Sequence, residues 1–283
     1  GHQARRITML EGLCNETTAR WFYSWYSNFY DRMQPFFSSP KMRETGLDLA
    51  GISEVNGSSL RVLDVGAGTG TLTLQLLRRG VQAKNVTMLD QSAGMLSKAR
   101  AKPELQDVTK ILGDAQDLPF EDDSFDRVVS SGAIYYWPDP VAAMREARRV
   151  LKPGGRALAI GTLQPSAPGI RLIAQTFNRF PTEAQYVQWF TEAGFQDVQT
   201  VNVANPWNEA QFAIAVTGTR PADDGKVPKA TPAPEASRKP SGLLNLLVLL
   251  GRYALSMAAF AVVGPLQVLM AACYYRTHPE EEQ

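Results

Sequence analysis

The chain has 283 residues, a formal net charge of +1 at pH 7, two cysteines (Cys14 and Cys273) and two histidines (His2 and His278). A nearly balanced charge with no basic tract gives no footprint for nucleic acid, and cysteines at opposite ends of the chain argue against a disulfide framework and fit a reducing compartment. Because both histidines are terminal, the middle of the chain lacks His and Cys, which excludes a Ser-His-Asp site, a thiol nucleophile and the common zinc sites there, and no metal is expected.

Residues 1–57 form an N-terminal segment. It opens Gly1-His2-Gln3-Ala4-Arg5-Arg6, without a methionine, as a processed or trimmed chain does, and removal of a targeting peptide is one expectation. Asn15 to Phe37 carries Trp21, Phe22, Tyr23, Trp25, Tyr26, Phe29 and Tyr30, whose spacing of three and four marks one face of a helix. Such a face packs against a core, lies on a membrane surface, or serves as a lid over a lipophilic pocket.

From 58 to 219 strands and helices alternate. Leu60–Val65, Val86–Asp90, Thr109–Gly113, Arg127–Ser131 and Arg156–Gly161 read as strands, with helices at 70–79, 92–101 and 139–151. The fold class is therefore α/β, Rossmann-like: a mostly parallel sheet with helices on both faces. Lys152-Pro153-Gly154-Gly155 reads as a turn before the fifth strand, and Glu121-Asp122-Asp123 as a solvated loop. Thr182–Ala193 is helical and stops at Gly194. Val198–Val203 and Phe212–Thr219 complete the domain as an antiparallel pair at the sheet edge.

Three strand ends carry acids. The first strand runs into Asp64-Val65-Gly66-Ala67-Gly68-Thr69-Gly70, a turn whose glycines give positive φ and close backbone approach. A dinucleotide fingerprint would place Gly or Ala at Thr71; here the third glycine comes one residue early, which points to S-adenosylmethionine instead. Asp90, about twenty residues further on, can accept from ribose hydroxyls. Asp114, in Gly113-Asp114-Ala115, can accept from an adenine amino group while the Ala115 amide donates to a ring nitrogen. Each acid alone could be a helix cap or a turn residue; the regular placement of all three favours a nucleoside site.

Residues 220–241, with Pro221, Pro228, Pro232, Pro234 and Pro240, read as a solvated linker. Residues 242–276 then read as a membrane anchor, ahead of a polar tail at 277–283. Tyr253 to Tyr275 is uncharged over ~23 residues, or ~34 Å of helix, about one hydrocarbon core. Tyr253, Tyr274 and Tyr275 suit its interfaces, and a membrane helix tolerates Pro265. Arg238, Lys239 and Arg252 put the positive flank on the domain side, so the domain should face cytosol, matrix or stroma. The other reading of this stretch is a buried C-terminal helix.

Residues 60–70 with Asp90, Gly113-Asp114-Ala115 and Leu151-Lys152-Pro153-Gly154-Gly155 resemble class I S-adenosylmethionine-dependent methyltransferases. Gly113-Asp114-Ala115-Gln116-Asp117-Leu118-Pro119-Phe120 with Ser124-Phe125-Asp126 is similar to the quinone C-methyltransferases of the ubiquinone/menaquinone type. The resemblance is closer still to the plastid 2-methyl-6-phytyl-1,4-hydroquinone methyltransferase family, carried by Lys84 to Ser92, Tyr136-Trp137-Pro138-Asp139-Pro140, and Trp189-Phe190 with Ala193-Gly194-Phe195 and Asp197-Val198-Gln199. It implies methyl transfer to a lipophilic prenylated hydroquinone in tocopherol and plastoquinone synthesis. It also implies a single-pass protein of the chloroplast inner envelope whose domain faces the stroma, its transit peptide removed. It further implies that Gly66, Ala67 and Gly68 turn against the methionine moiety, with Asp64 near its amino group. Asp90 would hold the ribose with Gln91 adjacent, Asp114 and Ala115 would read adenine, and Ser131 would line the pocket near the sulfonium. Tyr135, Tyr136 and Asp139 are the candidate bases, with Asp139 alternatively capping the following helix.

Two places depart from the family pattern. Pro35-Phe36-Phe37-Ser38-Ser39-Pro40 stands where a Gly-His-Trp stretch and acids are expected, and Ala133-Ile134-Tyr135 lacks an expected acid. They leave two other functions open: a methyltransferase-fold subunit of a plastid membrane assembly, and a methyltransferase for another lipid or small molecule.

Overall fold

The computed structural model describes residues 40–163, 180–205 and 208–223, together with 229, 269, 273, 276 and 277. In chain order its main elements are α1 (Pro40–Leu49), β1 (Val62–Val65), α2 (Thr71–Arg78), β2 (Val86–Asp90), α3 (Ala93–Arg100), β3 (Thr109–Leu112), β4 (Phe125–Ser131), α4 (Pro140–Val150), β5 (Leu151–Thr162), α5 (Glu183–Glu192), β6 (Gln196–Asn205) and β7 (Asn208–Thr219).

One sheet holds all seven strands in the order β3-β2-β1-β4-β5-β7-β6. The first five are parallel, with Val62 opposite both Val86 and Arg127, while β7 runs antiparallel between β5 and β6. The central parallel strands are covered on both faces, which is why β1 is buried along its whole length, while the edge strand β3 is partly exposed. Leu63, Val65 and Val128 face α4 and α5, packing with Met144, Tyr186 and Phe190. Val62, Val129 and Ile160 face the other way, onto Met42 and Leu47 of α1 and Leu72 and Leu76 of α2.

The helices begin where local chemistry starts them. Ser92 accepts from the Met95 amide to cap α3, Asp139 accepts from the Ala142 amide at 2.9 Å to cap α4, and Thr182 with Gln185 forms a reciprocal capping box on α5. Helix α1 lies across β5, β6 and β7, and it approaches so closely that a Cβ on Gly46 would sit 2.6 Å from Ile160 Cδ1. The packed unit thus includes Pro40–Leu49, upstream of the boundary at residue 57 read from the sequence. The aromatic stretch 15–37 lies outside the described residues.

Two sequence readings are corrected. Lys152-Pro153-Gly154-Gly155 is not a turn ahead of β5. It is an irregularity inside it, where the register with β4 jumps from Phe125–Leu151 to Arg127–Arg156 and Gly154 takes φ +75°. The loop is held from the far end of the domain: the Gly154 amide donates to the Arg220 carbonyl, and the Arg220 amide donates to the Gly155 carbonyl at 2.8 Å. Nor are Asp122 and Asp123 merely solvated. Asp122 pairs with the buried Arg149 guanidinium at 2.8 Å, and Asp123 with that of Arg220.

Among the described residues no helix is long and apolar enough to cross a membrane. The stretch 242–276, read as an anchor, falls outside them except for Leu269, Cys273 and Arg276.

Arg220 is 2% exposed, and its Nη1 donates to the carbonyls of Arg148, Arg149 and Leu151 at the end of α4 as well as to Asp123. Arg220→Met keeps the volume and removes these charge-assisted bonds. The expected loss is about 3 kcal/mol, read as a fall of roughly 8 °C in the thermal midpoint; an unchanged midpoint would show that Arg220 is not a structural clamp.

Candidate functional site

The strand order places a crevice. The chain moves outward from β1 through β2 to β3, then returns to the other side of β1 as β4. Connections leaving β1 and β4 diverge, and the gap between them at the carboxyl ends of the strands is the ligand position of open α/β sheets. An open cleft lies there. Four consecutive strand ends line it: Gly66 and Gly68 after β1, Asp90 and Gln91 after β2, Asp114 and Ala115 after β3, and Ser131 at the end of β4. A further wall, Tyr136, Trp137 and Pro138, comes from the β4–α4 connection.

The glycines of the first turn have separate reasons. All three take positive φ: +69° at Gly66, +56° at Gly68 and +88° at Gly70. A Cβ on Gly66 would lie 2.3 Å from Ala133 Cβ, and one on Gly70 would lie 2.4 Å from Leu105 Cδ1, so these two are closed by packing. At Gly68 a Cβ would meet no protein atom within 4 Å. The bare backbone there borders the cavity, the cradle that a polar ligand lying against the chain requires.

Asp90 builds that cradle. Its two oxygens accept from the Gly68 amide and the Ser92 amide, each at 2.8 Å, so the carboxylate ties the glycine turn to the end of β2. Each oxygen retains a lone pair for the cavity side. Burial pushes its pKa up, with the Ser92 and Gly68 amides opposing. Asp114 is held by Gln116, whose amide nitrogen donates to Oδ1 at 2.9 Å.

Other predicted residues sit outside the cavity wall. Asp64 is fully buried, with Oδ2 accepting from Thr73 Oγ1 at 2.7 Å and Oδ1 without a hydrogen-bond partner. Burial pushes its pKa up to about 7, the Thr73 hydroxyl pulls it down, and the Asp90 charge raises it. Ala67 is in the turn, its amide donating to the Leu89 carbonyl at 3.1 Å, and is not on the wall. Asp139 also lies off the wall and caps α4, so of its two readings the structure places it in the capping one.

Tyr135 packs against Tyr136, with ring centroids 4.7 Å apart, and is not on the wall either. Burial raises the Tyr135 phenol far above its ordinary value, and the Tyr136 phenol adds to the effect. Tyr186 of α5 is raised in the same way, by burial and then by these two neighbours. Burial thus favours the protonated phenol at both Tyr135 and Tyr186, the form that donates a hydrogen bond. Among the described residues no group of three or more His, Cys, Asp or Glu is placed to hold a metal.

The sequence reading passed over Trp137, Pro138 and Gln116, quoted only as parts of motifs. Their signal was their place next to residues already chosen. Which of them reaches the cavity depends on the path of the β4–α4 connection, which the motif does not encode.

The geometry agrees with what the chain is similar to. A family model described as a methyltransferase domain matches residues 63–159. The chloroplastic 2-methyl-6-phytyl-1,4-hydroquinone methyltransferase of Spinacia oleracea is 40% identical over 87% of this chain and 71% of its own length. The chloroplastic methyltransferase 1 of that name from Oryza sativa subsp. japonica is 38% identical over 94% of this chain and 82% of its own length. Among solved structures, Haemonchus contortus phosphoethanolamine N-methyltransferase 2 in complex with S-adenosyl-L-methionine matches 69% of this chain and 60% of its own, with TM-score 0.56 and 18% identity. The [4+2]-cyclase SpnF matches 72% and 96%, with TM-score 0.59 and 18% identity. At such identities the structures establish the fold alone.

The raised pKa of Asp64 has a measurable consequence. In the unfolded chain Asp64 ionises near its ordinary value of 3.8, and in the folded chain only near about 7. Between those values the folded state holds the extra proton, so this group's contribution to stability is lost as pH rises through that window. Asp64→Asn removes the dependence. The midpoint of the variant relative to the parent, both free of cofactor, should climb by several degrees from pH 4 to pH 7 and level off above; parallel curves would mean that Asp64 stays ionised.

Proposed function

The chain belongs to the 2-methyl-6-phytyl-1,4-hydroquinone methyltransferase family, and from that membership we propose that it methylates a ring carbon of a prenylated hydroquinone at a plastid membrane. It is an S-adenosylmethionine-dependent methyltransferase. The observation that carries the finer reading is the meeting of Asp90, Asp114 and the open Gly68 backbone around one cavity whose remaining wall is aromatic.

The roles follow from the placement. Asp90 takes the ribose hydroxyls on its free lone pairs, with Gln91 beside it, and Asp114 with Ala115 reads the adenine. The turn of Gly66, Ala67 and Gly68 lies along the methionine moiety. Asp64, buried under the start of α2, holds a proton up to about pH 7 in the free protein, and the cationic end of the cofactor favours its ionised form once bound. Bound S-adenosylmethionine supplies an activated methyl group; the protein supplies proximity and alignment. A hydroquinone carbon becomes nucleophilic when the neighbouring phenol loses its proton. Tyr136 on the wall orients the head group, with Ser131 bordering the transfer path, and Tyr135 supports Tyr136 by packing against it.

The relatives are named as chloroplastic, which supports a plastid location. We assign the chain to the inner envelope, its domain in the stroma, tethered by the apolar stretch 242–276 that follows the linker 220–241. A tethered domain meets a substrate that does not leave the bilayer, and the aromatic segment 15–37 then covers the head group.

Calorimetric titration with S-adenosylmethionine, coupled to an assay on 2-methyl-6-phytyl-1,4-hydroquinone, should show binding and methyl transfer. Asp90→Ala should weaken cofactor binding roughly 30-fold or more. Binding without turnover on this or any other quinol, with stable co-purification in a membrane complex, would instead favour the subunit reading. Turnover only on another lipid or small molecule would replace the substrate. For the anchor, the full chain should remain with lipid vesicles after alkaline carbonate washing; release into the supernatant would remove the membrane span.

A further inference from the structure

Gln116 joins two walls of the cavity that no chain segment joins directly. It is 1% exposed, although amides are usually found at the surface. Its Nε2 donates to both oxygens of Asp114, at 3.2 and 3.4 Å, and its Oε1 accepts from the Asp139 amide at 3.1 Å. The partners settle which end of the side-chain amide is which, since an ionised carboxylate only accepts and a backbone N–H only donates. Asp114 stands at the end of β3; Asp139 closes the Tyr136-Trp137-Pro138 connection.

We propose that Gln116 is a positioning residue with two separable arms: its Nε2 fixes Asp114 for recognition of the adenine amino group, and its Oε1 fixes the Tyr136–Pro138 wall against the acceptor. This rests on the reading of Asp114 given above. Asp114 alone could rotate about its side-chain torsions. The Gln116 backbone amide holds Oδ1, and the side-chain Nε2 reaches both oxygens, which fixes the plane of the carboxylate. A fixed carboxylate accepts from the exocyclic amine of adenine and repels the oxygen that hypoxanthine carries at the same place. The opposite arm sets the start of α4 at a defined distance from β3, and the aromatic wall lies immediately before that start.

The two arms predict different failures in two variants of similar size. Gln116→Glu keeps an oxygen for the Asp139 amide and loses the donor to Asp114; Gln116→Met loses both. Calorimetry with S-adenosylhomocysteine and S-inosylhomocysteine reads the first arm, and the KM for the hydroquinone acceptor reads the second. The parent should prefer the adenine compound by about tenfold or more. Gln116→Glu should reduce that preference to within about threefold while leaving the acceptor KM unchanged. Gln116→Met should lose the preference and also raise the acceptor KM by about fivefold or more, with thermal midpoints showing both variants folded. If the parent shows no preference, the Asp114 reading fails and this inference fails with it. If the parent discriminates and both variants discriminate equally well, Asp114 reads adenine without Gln116, and the inference alone is overturned.

Discussion

The site depends on one carboxylate. Asp90 holds the Gly68 amide with one oxygen and the Ser92 amide with the other, so a turn made of residues with little intrinsic conformational preference is fixed to the end of a central strand. Glycine gives the turn its shape at an entropic cost, and a charge-assisted bond to a nearly buried carboxylate is strong enough to offset part of it. The same bonds let Asp90 be buried: a carboxyl with no partner there would simply protonate. Burial raises both carboxyls, and that of Asp64, one strand over and fully buried with Thr73 as its hydrogen-bond partner, reaches about 7.

The second half of the site is held from behind. Glu146 of α4 accepts from the Leu118 amide at 3.0 Å, and Arg149 donates to the carbonyls of Leu118 and Phe120 at 3.0 and 2.8 Å. The segment 113–120 therefore meets the cofactor cavity at its front, through Asp114, and is bolted to α4 at its back. Gln116, between these points, reaches α4 from the cavity side. The pair Glu146 and Arg149 is buried, and such a pair adds less to stability than its geometry suggests, because both charges leave water. What the pair does supply is a tie between the segment after β3 and α4, because both charged side chains reach that segment from the same helix.

Much of this was legible in the chain, and the illegible parts share a cause. The strands β2 and β3 and the four helices after α1 stand within a residue or two of where their apolar periods and caps place them, because those signals act over a few residues. The antiparallel edge pair was likewise readable. By contrast, Lys152 to Gly155 has turn composition and still lies inside β5, because Arg220, far along the chain, supplies the hydrogen bonds that keep the strand going. Glu121-Asp122-Asp123 looked like a solvated run, yet two of its acids answer arginines that come from α4 and from the end of β7. No local pattern reveals a partner so distant.

The sequence by itself determined the kind of ligand and the order of the strand ends that meet it. A glycine turn with its third glycine early, and acids closing three successive strands, follow from residue type and spacing, because each strand end delivers its last residues to the same edge of a parallel sheet. Only the tertiary structure decided which side chains face that edge. Asp90 and Asp114 reach the cavity, Asp64 is turned under α2, Asp139 is taken by the first turn of α4, and Tyr135 packs half-buried against Tyr136. Those outcomes are competitions between neighbours for the same polar or apolar partner. Such a competition is settled by which groups the sheet and helices bring within about 3 Å of one another, a distance between residues that are remote in the chain.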